Sequence, residues 1–247
     1  MTWTVVLLLG FAAQDLTAGE KACDPVQVGR DLIDRREEAD NLDRALRILE
    51  YHAAQKPGNA ELRTLAAEAY SRAIERLRED QAADKAAFKL LLPLARPHGE
   101  AAVRLAPKDG ASLYWQACLL LHDARWNTSL SKAWEASDLL EKSEAVSPKL
   151  DDGGPARMRG RVLAQIPAIF GGSMSGALAH YKRSLEISPD CIVTHLWMGE
   201  VYADQKKGDL ARKELTGVTE AKPRAGHEKE DADYKRQAEE RLKSLKK

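Results

Sequence analysis

One spacing recurs five times along the chain and restricts its fold more than any other feature. An alanine is followed by packing residues four and seven positions later and by a proline twelve positions later. The sets begin with Ala45, Leu49, His52 and Pro57, and continue with Ala95, Gly99, Ala102 and Pro107. They then run through Ala136, Leu140, Ser143 and Pro148, through Ala177, Tyr181, Ser184 and Pro189, and through Ala211, Leu215, Val218 and Pro223. Residues four and seven apart share a helix face, and a proline ends the helix because it lacks a donor and clashes with the preceding turn. After the first four prolines a small residue follows at an almost constant distance, namely Ala67, Ala117, Gly160 and Gly199. Small side chains at fixed intervals let two helices approach closely, so the chain reads as a series of helical hairpins.

The stretch from Ile192 to Ala225 is the most regular unit. It places Met198, Gly199 and Tyr202 on a first helix and Ala211, Leu215 and Val218 on a second, which matches the 34-residue tetratricopeptide pattern. The predicted fold is therefore all-α: a tetratricopeptide-type helical-hairpin solenoid of four to five repeats over residues 24–225. Its packing positions are Ala45, Ala67, Ala95, Ala117, Ala136, Gly160, Ala177, Gly199, Tyr202 and Ala211. The earlier repeats exceed 34 residues, and the excess falls between the two helices of a repeat, as loops or helix extensions. The segment around Glu79 to Ala87 is helix-forming and extends a helix, whereas Gly171-Gly172-Ser173 is a loop. Beyond Pro223, residues 226–247 are densely charged but keep Tyr234, Ala238, Leu242 and Leu245 at helical spacing. This predicts a capping helix over the last apolar face.

Lysine plus arginine equal aspartate plus glutamate at 38 each, so no global field recruits nucleic acid. The run Trp3 to Ala13 is uncharged and too short to span a bilayer, and reads as the apolar core of an export signal covering residues 1–22, with cleavage after Gly19. An exported, periplasmic location follows, or a cytoplasmic one if the segment is retained. Membrane contact is expected only through a lipid on Cys23. Cys23, Cys118 and Cys191 form no CxxC pair and no disulfide framework. The chain shows no GxSxG elbow, phosphate loop, HExxH or kinase signature, so no enzyme, metal or cofactor is expected.

In a tetratricopeptide superhelix, one face of each first helix lines a concave groove. Here that face receives Tyr114, Cys118 and Leu121, then Arg157 and Arg161, then Leu196 and Glu200. Arg157 and Arg161 are one turn apart, and two adjacent guanidinium forks suit a carboxylate or phosphate. The alternative is internal pairing with Asp151, Asp152 or Glu200. Cys118 and His122 are also one turn apart, a spacing that usually reflects packing rather than metal binding.

The stretches ASLYWQACLLL, DDGGPARMRGRVLAQIPAIFGGS and GALAHYKRSLEISPDCIVTHLWMGEVYADQKKGDLARKEL, together with residues 29–59, resemble the TatT component of TRAP transporters. They are also similar to tetratricopeptide regulators of microtubule dynamics. The resemblance implies an exported, non-enzymatic helical protein that engages a partner, for instance a periplasmic solute-binding protein. It also implies that copies assemble into a homo-oligomer such as a trimer.

Overall fold

The computed structural model describes residues 16–245. Every regular element among them is helical, as the repeat spacing predicts. The apolar run Trp3 to Ala13 lies outside the described residues, and the expected cleavage point after Gly19 falls inside the first helix. The chain divides into two compact units within one helix, between Leu139 and Leu140.

In the first unit, α1 (Ala18–Ala22) opens with a capping box: the Thr17 hydroxyl accepts from the Glu20 amide and the Glu20 carboxylate accepts from the Thr17 amide. Helix α2 (Pro25–Asp34) starts on Asp24, whose carboxylate accepts from the amides of Val26 and Gln27, with proline at the first helical position. Then follow α3 (Asn41–Gln55), α4 (Ala60–Glu75), α5 (Ala82–Leu105), α6 (Gly110–Asn127) and the start of α7 (Leu130–Val146). The first segment is held on α3 by His52, whose Nε2 donates to the Glu20 carbonyl at 3.0 Å.

The second unit takes the end of α7, then α8 (Gly154–Gln165), α9 (Met174–Ile187), α10 (Ile192–Asp204), α11 (Gly208–Glu220) and α12 (Glu228–Ser244). One core joins Ala177 and Tyr181 of α9 to Met198, Val201 and Tyr202 of α10 and Ala211 of α11. A second joins Ile192 and Leu196 to Leu215, Val218 and the fully buried Ala238 of α12. The turn before α12 is fixed by Arg224: its amide and its guanidinium donate to the fully buried Asp231 carboxylate, at 2.6 and 2.8 Å.

The recurring spacing has a direct mechanical counterpart. Where a second helix ends, the carbonyl of the residue seven positions after the signature alanine accepts from the amide four residues on. His52 does so to Lys56, Ala102 to Ala106, Ser143 to Ser147 and Ser184 to Ser188. The proline follows directly, and Asn59 and Asp109, two residues beyond Pro57 and Pro107, cap the next helix with their side chains. The seven signature and close-approach alanines are fully buried. At the glycines, an added methyl would meet the residue four positions after the signature alanine: Tyr181 at 2.6 Å from Gly160 and Leu215 at 2.8 Å from Gly199. Gly29 repeats this relation with Leu49 at 2.9 Å, which makes α2 and α3 a fifth hairpin whose first helix the proline spacing alone does not reveal.

The extra residues of the long repeats are absorbed as the sequence indicates. Helix α5 begins at Ala82 and is the longest, with Pro93 and Pro97 inside it. The connection from α8 to α9 is a short 3-10 turn (Ala168–Phe170) followed by Gly171 and Gly172.

Candidate functional site

In the first unit α4 and α6 are joined by polar pairs. Thr64 and Ser112 hydroxyls lie 2.8 Å apart, and Ser71 Oγ lies 3.1 Å from His122 Nε2. Burial, reinforced by the nearby Arg125 guanidinium, pushes the His122 pKa down to about 4, so the imidazole is neutral at ordinary pH. Tyr114 and Cys118 are buried, and Leu121 is half-buried. Cys118 and His122 stand one turn apart as expected, with the imidazole Nε2 engaged by Ser71.

In the second unit Arg157 is 6% exposed. Its Nη2 donates to Asp151 Oδ2 at 2.7 Å and its Nη1 to the Asp152 carbonyl at 3.1 Å. Asp151, Asp152 and Gly153 all have positive φ, a conformation that aspartate tolerates better than most residues. Arg157 thus clasps a tight turn, and a buried guanidinium is stable only because these acceptors neutralise it. Arg161 Nη1 donates to Glu200 Oε2 at 2.7 Å, and its guanidinium lies 4.7 Å from the centre of the Trp197 ring.

The two arginines thus make the internal pairs named as the alternative to an anion clamp, Arg157 with Asp151 and Asp152 and Arg161 with Glu200. The structure corrects the reading of Leu196, Tyr114 and Cys118 as exposed groove residues. Leu196 is fully enclosed by Ile192, Leu215 and Val218, and Tyr114 and Cys118 are likewise buried. Glu200 and Leu121 keep partial exposure. The first unit repeats the arginine device, with Arg72 lying 4.8 Å from the Trp115 ring centre. Trp115 and Trp197 each stand two residues before a close-approach residue, Ala117 and Gly199.

Other polar clusters are also self-satisfied. Tyr70 donates to Glu50 Oε1 at 2.5 Å, and His98 Nε2 lies 3.0 Å from the same oxygen. Burial raises the Glu50 carboxyl, but His98, Tyr70 and Arg63 outweigh it and hold the pKa below the usual range. The almost fully buried Asp123 is bonded by Arg96, Lys132 and Asn127. A pocket of about 450 Å³ lies beside His195, Glu214, Lys213 and Asp190. Its histidine is engaged on both sides: His195 Nδ1 lies 2.7 Å from Glu214 Oε2 and Nε2 lies 2.7 Å from the Pro189 carbonyl. Two acceptors on one ring favour the imidazolium, and the bond to Glu214 leads the causes that raise its pKa.

In the first unit the outward face of α5 is open to solvent. Leu90 and Leu94 are 38% and 43% exposed, and Pro93, Pro97 and Ala86 are exposed beside them. Their spacing puts them in one stripe. Lys85 and Lys89 follow its edge, and neither makes an ion pair among the described residues; Glu100 is the one exposed acidic residue of this helix. The signal is visible in the sequence: LLLPLARP carries apolar residues on two faces at once, while Phe88, Leu91, Leu92 and Ala95 suffice for the buried one. Groove positions of a tetratricopeptide array lie on first helices, and α5 is a second helix, so the repeat pattern alone does not point to it.

No family model matches the chain, and no curated protein sequence does. Solved structures match its fold. A thermophilic tetratricopeptide protein of Thermus thermophilus, TTC0263, is 18% identical with a TM-score of 0.64, covering 91% of this chain and 99% of the other. Pseudomonas aeruginosa PilF is 15% identical with a TM-score of 0.56, covering 92% and 91%. YrrB, described as a tetratricopeptide protein with an unusual peptide-binding site, is 17% identical with a TM-score of 0.52, covering 92% and 93%. The class defined by fold and spacing is thus the tetratricopeptide-type helical repeat.

Proposed function

We propose that the chain is a non-catalytic interaction module and that its partner docks on the outward face of α5. The observation that carries this is the apolar stripe of Leu90, Pro93, Leu94 and Pro97, exposed on a helix whose opposite face already fills the core. Apolar stripes rimmed by polar residues mark interaction sites, the rim supplying the rest of the buried area. The lysine edge selects the occupant: an amphipathic helix of a protein partner with carboxylates flanking its apolar residues. The tetratricopeptide fold supports a scaffold role in general. The resemblance to TatT supports a finer one, an exported accessory protein that engages a periplasmic solute-binding protein.

Replacing Leu90 and Leu94 with glutamate tests the site without touching the core. A photo-crosslinking side chain at position 94 should trap the partner in cells, and the purified pair should bind at least about tenfold more weakly when both leucines are changed. Equal affinity of wild type and variant would remove α5 from the interface. A crosslinked product made of two copies of this chain would favour self-assembly.

A further inference from the structure

A second exposed apolar feature lies in the other unit and is independent of the reading of α5. From Val162 to Ala179 the sequence contains no charged residue, although 31% of the chain is charged. The middle of this stretch is the turn between α8 and α9, where Ile169 is 86% exposed and Phe170 53% exposed, flanked by exposed Pro167 and Ala168.

The turn is built to hold these side chains outward. The amides of Phe170 and Gly172 both donate to the Pro167 carbonyl, at 2.9 and 3.2 Å, and Gly171 donates to Ala168 at 3.0 Å. Ser173 donates to the Leu163 carbonyl of α8 at 2.9 Å and caps α9 by accepting from the Gly176 amide at 3.0 Å. Gly171 has φ +95°. A methyl on Gly172 would lie 1.6 Å from the Ile166 carbonyl oxygen, so this path admits glycine alone. Two glycines and a set of turn hydrogen bonds therefore fix an apolar tip that a looser loop would fold back onto the buried Ile166.

The occupant follows from area and charge. The exposed parts of Ile169 and Phe170 amount to about 300 Å², well under the roughly 800 Å² that one partner buries in a stable protein interface. A small, uncharged, protruding tip of one aliphatic and one aromatic side chain instead fits the headgroup–acyl boundary of a bilayer, where the Trp, Phe and Leu side chains of surface-bound segments bury. The next charged residues along α9 are the exposed Lys182, which makes no ion pair among the described residues, and Arg183, which is paired with Glu144 at 2.8 Å. Lys182 stands two to three turns back from the tip, within reach of anionic headgroups once the tip inserts. We infer that the Pro167–Gly172 turn is a lipid-inserting tip that seats this unit on an anionic membrane surface.

The test is sedimentation of the full chain with vesicles of phosphatidylcholine alone and of phosphatidylcholine containing a quarter phosphatidylglycerol. Wild type should sediment with the anionic vesicles. Replacing Ile169 and Phe170 with serine should lower the partition coefficient at least about tenfold, and replacing both with leucine should preserve it. Because both side chains are exposed, the serine variant should melt with the wild type, which separates lost insertion from lost folding. Absence of wild-type sedimentation on either vesicle overturns the inference, as does equal sedimentation of the serine variant. A dimer in solution that the serine change abolishes, without vesicle binding, would overturn it in favour of a protein occupant.

Discussion

At the scale of single residues, polar groups paired between helices act as internal struts, and two histidines make stability depend on pH in opposite directions. His122 is neutral when folded, with a pKa near 4 against 6.5 for an ordinary histidine. Its folded form binds fewer protons than its unfolded form, so stability should fall as pH drops below 6.5 and go on falling to about 4. The full shift corresponds to about 3 kcal/mol. Urea midpoints measured across that window should show this slope, and His122→Gln should flatten it; a variant as pH-sensitive as wild type would remove His122 as the cause. His195 carries the other sign. Its pKa is raised by Glu214, so its contribution is complete below 6.5 and is lost as pH rises through the raised value. The pair is partly exposed, and this limb should amount to less than about 1 kcal/mol, absent in His195→Gln. Arg157 is a buried strut. Arg157→Gln leaves the Asp151 carboxylate without its guanidinium and should cost about 3 kcal/mol in chemical denaturation, whereas Arg161→Gln, at a wetter pair, should cost about 1.

At the scale of helices, glycine positions separate close approach from mere tolerance. Gly199→Ala places a methyl 2.8 Å from the fully buried Leu215, which has nowhere to retreat, and should destabilise by about 1 to 3 kcal/mol. Gly217 lies in α11 with nothing within 4 Å of an added methyl, so Gly217→Ala should stabilise by about 0.5 to 1 kcal/mol through helix propensity. Thermal melts of the two variants should move in opposite directions, and a matching shift would refute the hairpin packing. The hairpins were legible because their spacing is covalent: an alanine, its partners and a proline occupy fixed places whatever surrounds them. The first helix of the Gly29 hairpin was not legible because no stop proline precedes it. The groove was not legible. Whether a groove position stays open depends on what packs over it, and for Leu196 that cover comes from α11 and α12, beyond its own helix. The acceptors of Arg157 lay five and six residues upstream and could be named as one option, but spacing could not decide between them and a ligand.

At the scale of the whole molecule, a stack of hairpins needs its last apolar face covered, and α12 supplies the cover in the second unit. Ala238 is fully buried against Leu215 and Val218, with Tyr234 and Leu242 packed beside them, while most of the helix faces solvent. Arg224 and Asp231 fix the angle at which it returns. Ending the chain at residue 225 would uncover Leu196, Leu215 and Val218 together. At about 25 cal/mol for each Å² of apolar surface, even 100 Å² newly wetted costs about 2.5 kcal/mol. Since repeats exchange energy mainly with their neighbours, that loss should fall on α10 and α11 and fade toward α8. Hydrogen exchange of the truncated chain should therefore show amides of residues 192–220 opening at least about tenfold faster, with those of α2 to α5 unchanged. Uniform acceleration from α2 to α11 would mean that the chain unfolds as one cooperative block and that α12 supports all of it.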